Sequence, residues 1–213
     1  MNYTHDYEYE NGKVKPISIT SADSVEALRN DYNELLKKYD PKVVTITRCK
    51  AGTGESLHLK VTVNAPTHYL TSDSDTTPKV CSSMSVEIIC YPGYPIEQIS
   101  ARYSSNYYLA SPNVFRNGDA CIGKWITFTS SLLTVVDKLV NDIIHNPTVT
   151  RYDSPANAGM INWHKSGVSS GRFPTISPKS LYKPELRSLP PRRNNASASR
   201  SSTSPRALPP RRR

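Results

Sequence analysis

Residues 57–63 read Leu57-His58-Leu59-Lys60-Val61-Thr62-Val63. Leu57, Leu59, Val61 and Val63 alternate with His58, Lys60 and Thr62, the period of two that gives a strand one buried and one wet face. On that reading His58 is a solvent-face residue. Val43 to Arg48 is short and β-branched, and Gly52-Thr53-Gly54 supplies a turn, so a hairpin is expected ahead of the quoted stretch. Beyond it, Val80 to Cys90 alternates again with Met84, Val86, Ile88 and Cys90 on one face, and Ile99, Ala101 and Tyr103 make a fourth strand. Between them, 64–79 reads as a polar loop; its Ser/Asp cluster lacks the glycine of a calcium loop.

Helices flank these strands. Asp23 with Glu26 three residues on resembles a capping box, and Val25, Leu28, Tyr32, Leu35, Leu36 and Tyr39 recur at helical spacing until Pro41. Leu132, Leu133, Val135, Val136, Leu139, Val140, Ile143 and Ile144 form a broad apolar face after a cap at Ser130 or Ser131, and Pro147 ends it. A short helix is expected from Ser154, with Pro155 in its first position, to about His164 before Gly167. The fold class is α+β: an N-terminal helix, a four-stranded antiparallel meander, a central helix and a short C-terminal helix.

The 213 residues divide unevenly. An apolar fraction of 37 % and 17 prolines are explained by the stretch after Ser166, which is Ser, Pro and Arg with few large apolar residues. That stretch holds eleven Lys and Arg against the single acid Glu185, so the formal charge of +9 sits there and the rest is nearly neutral. Three regions are expected: an N-terminal extension over 1–20, a domain over 21–167, and a disordered basic tail over 168–213. Leu189-Pro190-Pro191-Arg192-Arg193 recurs as Leu208-Pro209-Pro210-Arg211-Arg212, which favours polyproline II. Such a tail is a solvated extension, a ligand for an aromatic-lined groove, or an attraction to an anionic surface.

Cys49, Cys81, Cys90 and Cys121 form no Cys-x-x-Cys pair and have no histidine at ligand spacing, so a zinc site is not expected; no cofactor is expected either. Met1 to Lys15 has no apolar run and no stretch approaches the ~18 apolar residues of a membrane span. A reducing, cytoplasmic setting is the simplest expectation.

One cysteine is set apart from the apolar faces. Cys121 follows the turn residues Asn117-Gly118-Asp119 and lies eight residues after Asn113, itself preceded by Pro112; an accessible thiol near an oriented amide suits acyl chemistry. This segment resembles the active site of ubiquitin-conjugating enzymes, in which a His-Pro-Asn element precedes the catalytic cysteine at the same separation. Ser111 stands at the histidine position. Tyr91-Pro92-Gly93-Tyr94-Pro95 is similar to the family's proline turn, Trp125 follows the cysteine, and Ser154-Pro155-Ala156-Asn157 resembles the start of the helix after the crossover. The likeness spans about residues 22 to 167, and the Ser/Pro/Arg-rich sequence that stands in place of further helix is typical of the family's compact bacterial members, which suggests an antiviral conjugation system.

The resemblance implies that Cys121 accepts a ubiquitin-like protein from an activating enzyme as a thioester and passes it to an amine of a target protein. It gives Asn113 the role of oxyanion donor or of loop brace, and Asp153 that of orienting or deprotonating the incoming lysine. Two other readings stand beside it. One is a non-catalytic binding module of the same fold; the other is a cysteine hydrolase pairing Cys121 with His145 or His164, although His145 also suits a helix cap.

Overall fold

Leu57, Leu59, Val61 and Val63 are all buried, and the sheet they belong to is the centre of the molecule. The computed structural model describes residues 2–10, 13–50, 56–72, 74–92, 99–103, 107–122 and 131–187. The chain opens with an antiparallel hairpin of β1 (Asn2–Glu10) and β2 (Lys13–Thr20). Helix α1 (Ser21–Lys38) follows, then β3 (Val44–Cys49) and β4 (Leu57–Val63). Next come the short strands β5 (Thr67–Leu70) and β6 (Lys79–Cys81), then β7 (Met84–Cys90), β8 (Ile99–Tyr103) and β9 (Tyr108–Leu109). Helices α2 (Leu132–Ile143), α3 (Ile161–Ser169) and α4 (Pro184–Arg187) complete the described chain.

The main sheet is antiparallel throughout in the order β3-β4-β7-β8. Its register sets Val61 opposite Val86, Leu59 opposite Ile88, and Ile88 opposite Ala101. Every other residue along β4 and β7 therefore meets the same buried face, which α2 covers with Leu132, Val135, Val136, Leu139, Val140 and Ile143. Each large side chain of this kind contributes about 1.5–3 kcal/mol by leaving water. Ser131 caps α2, its Oγ accepting from Thr134 N, and Asp31 of α1 accepts from Leu132 N (3.0 Å). A carboxylate from one helix thus satisfies an otherwise orphan amide at the positive end of the other.

Three expectations need correction. First, 64–79 is not a plain loop: β5 lies within it, β6 starts at its end, and the two form a second sheet with β9 in the order β6-β5-β9. Val80 belongs to β6 and is 67 % exposed, so the buried strand begins at Met84. Second, the helix expected from Ser154 starts later, because the Ala156 and Asn157 amides both donate to Pro112 O (2.8 and 3.1 Å). A helical turn at Ala158–Met160 then leads into α3, which runs through Gly167.

Third, the boundary expected after residue 167 falls inside α3, and the chain from there to Arg187 is folded. Phe173 and Leu181 are buried, Tyr182 stacks on Tyr39 (ring centroids 5.7 Å apart), and the Asp40 amide donates to Leu181 O (3.0 Å). Asp137 of α2 ties this return together by accepting from both Tyr182 Oη (2.8 Å) and Tyr39 Oη (3.1 Å). The two Leu-Pro-Pro-Arg-Arg repeats, the 52–54 turn, Gly93-Tyr94-Pro95 and Trp125 lie outside the described residues.

Candidate functional site

After β9 the chain enters Ser111 to Ile122 through a backbone fixed by Pro112 and folds back at Asn117-Gly118. Gly118 has φ +89°, a left-handed conformation that side chains resist. Asn117 Oδ1 accepts from Asp119 N (3.0 Å), and Phe115 N donates to Asp119 O (2.9 Å), closing a small loop. The loop is fastened to the sheet edge, since Tyr103 N donates to Gly118 O (3.0 Å) and Ala120 N to Ala101 O (2.9 Å). Its last link is Cys121 N to Asn113 O (2.7 Å). Two residues eight apart in sequence therefore stand directly across from each other, with Cys121 half-buried and its thiol unoxidised.

Asn113 is 4 % exposed and its amide is fully engaged. Nδ2 donates to Asp142 Oδ1 (3.0 Å) and to Val149 O (3.2 Å), while Oδ1 accepts from Arg151 N (3.2 Å). Of the two roles the sequence allowed it, this geometry is that of the brace. Turning the amide toward a ligand would strand buried partners at about 1–3 kcal/mol each. Ser111 is fully buried and donates its hydroxyl to Asp142 Oδ1 (2.8 Å), so it too holds the loop.

Asp153 sits at the rim. Its side chain is 69 % exposed and forms a two-pronged pair with Arg151, Nη2 to Oδ2 at 2.8 Å and Nε to Oδ1 at 3.2 Å. The Arg151 hydrogen bonds hold this carboxyl below the ordinary carboxylate range. The Arg151 amide donates to Asn113 Oδ1, so Asp153 joins the site through it. No hydrogen bond links Asp153 to Cys121 among the described residues.

Two residues at the heart of the site were not among the sequence candidates. Lys138 donates from Nζ to the backbone carbonyl of Cys121. Burial lowers its pKa, while Asp142 and the Cys121 thiol draw it back up. Asp142, one turn further along α2, is buried, and desolvation raises its carboxyl to about 6 against the help of Ser111, Lys138 and Asn113. The signal available in sequence was the i,i+4 spacing of Lys138 and Asp142 on an otherwise apolar helix.

His145 and His164, the candidate bases of a hydrolase, lie elsewhere in the hydrogen-bond network. Both are fully buried; His145 Nε2 is 3.2 Å from Thr67 Oγ1, and Tyr152 Oη is 2.9 Å from His164 Nδ1. Among the described residues neither is hydrogen-bonded to Cys121. Rather than capping α2 from the surface, His145 turns inward with φ +58°, its ring centroid 4.3 Å from that of Phe173. Burial holds His145 well below its ordinary pKa and His164 at about 4, so both are neutral core residues. His58, expected on the solvent face, is half-buried beside Glu87 (Nε2 to Oε2, 3.6 Å).

Cys90 is buried in β7 with its thiol pushed up to about 12, which removes it as a nucleophile. Among the described residues no group of three or more His, Cys, Asp or Glu could hold a metal ion, and no helix is long and apolar enough to cross a membrane. No protein-family model and no curated protein matches the chain.

Proposed function

We propose that this chain is a ubiquitin-conjugating-type acyl carrier, with Cys121 holding a ubiquitin-like protein as a thioester and delivering it to an amine of a target protein. The observation that carries the reading is the 2.7 Å bond from Cys121 N to Asn113 O, which holds a half-buried thiol on a loop whose Cys121 carbonyl also accepts from Lys138 Nζ. A cysteine sulfur is a strong nucleophile toward an acyl group, and the thioester it forms stays reactive toward amines. An activating enzyme would supply the acyl group; the α+β class and the four-stranded antiparallel sheet are consistent with this reading. On this reading Asp153, exposed and paired with Arg151, is the carboxylate that orients the incoming amine.

The test is recovery of tagged protein from its host, analysed by intact mass and non-reducing gel for wild type, Cys121→Ser and Cys121→Ala. The expected result is a protein-sized adduct that thiol removes from the wild type, that persists on the serine variant as an ester, and that the alanine variant lacks. Absence of any adduct when the neighbouring genes are co-expressed overturns the carrier reading and favours a binding module.

A further inference from the structure

The amide expected to steady an acyl oxygen at Cys121 does not face it, because both N–H groups of Asn113 serve Asp142 and Val149. The group that does reach Cys121 is on α2. Lys138 Nζ donates to the carbonyl of Cys121 and lies within electrostatic range of its thiol. A held carboxylate acts on its charge. Ser111 Oγ and Asn113 Nδ2 hold Asp142 Oδ1 at 2.8 and 3.0 Å, and the Asp142 carboxylate attracts the Lys138 ammonium one helical turn away.

We infer that Lys138 supplies the positive charge that stabilises the acyl oxygen during transfer from Cys121, and that Asn113 is a positioning residue acting through Asp142. This rests on the reading of Cys121 as an acyl carrier. In the step, the amine nitrogen attacks the thioester carbonyl carbon, a C–N bond forms and the π pair moves to oxygen beside the ammonium. The pair then re-forms the double bond, the C–S bond breaks, and Cys121 leaves as thiolate. The proton lost by the amine ends on that sulfur, so thioester and amine become amide and thiol. A donor aimed at developing charge in a partly desolvated site lowers the barrier most.

The test uses the full chain carrying Cys49→Ser and Cys81→Ser, so that Cys121 is the reactive thiol. Cys121 is acylated by exchange with an N-acetylglycine thiophenyl ester, and loss of the acyl group to free lysine is followed by intact mass. Lys138→Gln and Lys138→Met are expected to slow aminolysis by ~10²–10³, with native circular dichroism. Lys138→Arg should stay within about tenfold of wild type, because the charge is kept. The ratio of wild-type to Lys138→Gln rates should shrink as pH rises through the titration of Lys138, which a merely structural role would not produce.

Equal rates for wild type and folded Lys138→Gln, or a ratio that is flat with pH, overturn the inference. So does an acyl group found on Lys138 as a thiol-resistant amide, which would make that lysine the acceptor. If Cys121 takes no acyl group from the synthetic ester, this inference and the carrier reading both fall. If these rates behave as expected while host extracts yield no protein adduct, Cys121 remains an acyl carrier and only the assignment of a ubiquitin-like protein as its acyl group fails.

Discussion

Replacing Asp142 with asparagine should stabilise the protein at neutral pH. Burial raises this carboxyl from 3.8 to about 6 in the folded chain. The gap is about two pH units, each worth about 1.4 kcal/mol, so the ionised form is about 3 kcal/mol less favourable relative to the neutral form than it is in water. Between 3.8 and about 6 the folded state binds more protons than the unfolded state, so this contribution favours folding below 3.8 and is lost as pH rises through about 6. Asparagine copies the neutral acid and keeps an oxygen for Ser111 and Asn113. Urea unfolding should therefore show D142N more stable than wild type by up to about 3 kcal/mol at pH 7.5, with unchanged slope. The advantage should disappear near pH 4. A D142N protein that is less stable than wild type at pH 7.5, with the gap closing in acid, would show that the pairing with Lys138 outweighs desolvation, and would refute the reasoning.

Two further outcomes concern the chain that returns over α1 and α2. A Cβ on Gly167 would lie 2.2 Å from Phe173 Cε2 and 2.3 Å from Cδ2, so Gly167→Ala should lose about 1–3 kcal/mol in urea unfolding despite alanine's better helix propensity. Adding Phe173→Leu should reduce the penalty, and additive losses would count against the clash. His164, held at about 4, binds fewer protons folded than unfolded, so its contribution is complete above 6.5 and is lost as pH falls toward about 4. Thermal melts across that window should fall less steeply for His164→Phe than for wild type; identical slopes would place the acid sensitivity on His145 and His68.

What the sequence discloses follows the range of the forces involved. β4, β7 and α2 announce themselves because one face meets a continuous core, so period and burial coincide. β5, β6 and β9 are four, three and two residues long, and they exist through pairings such as Tyr69 with Leu109, for which no local pattern is required. The stretch after Gly167 looks like a tail by composition, yet its anchors Phe173, Ile176, Leu181 and Tyr182 are spaced for an irregular path over other elements. Gly167 reads as a helix stop but is small because the Phe173 ring lies against it. At the site, the Asn113–Cys121 separation is visible because it is a loop length. The burial of Asp142 is not, because it depends on Ser111 and Asn113 arriving from elsewhere in the chain.

The same network bears on how Asn113 substitutions should be read. Pro112 and Asn113 are gripped from three directions: by Asp142 on α2, by Val149 and the Arg151 amide on the crossover, and by the Ala156 and Asn157 amides at Pro112 O. Asn113→Ala removes three hydrogen bonds at once and leaves a buried carboxylate and two backbone groups with one partner fewer. Lost stability and a displaced Asp142 would follow before any change in an acyl oxygen's surroundings, and the field acting on Lys138 would change with it. A slow Asn113→Ala protein is thus the outcome of either role for that amide. Lys138, half-buried and joined to Cys121 by its tip, is the position where charge can be removed at the loss of one bond to the loop while its links to Asn113 and the sheet edge remain, and so is where the chemistry can be separated from the fold.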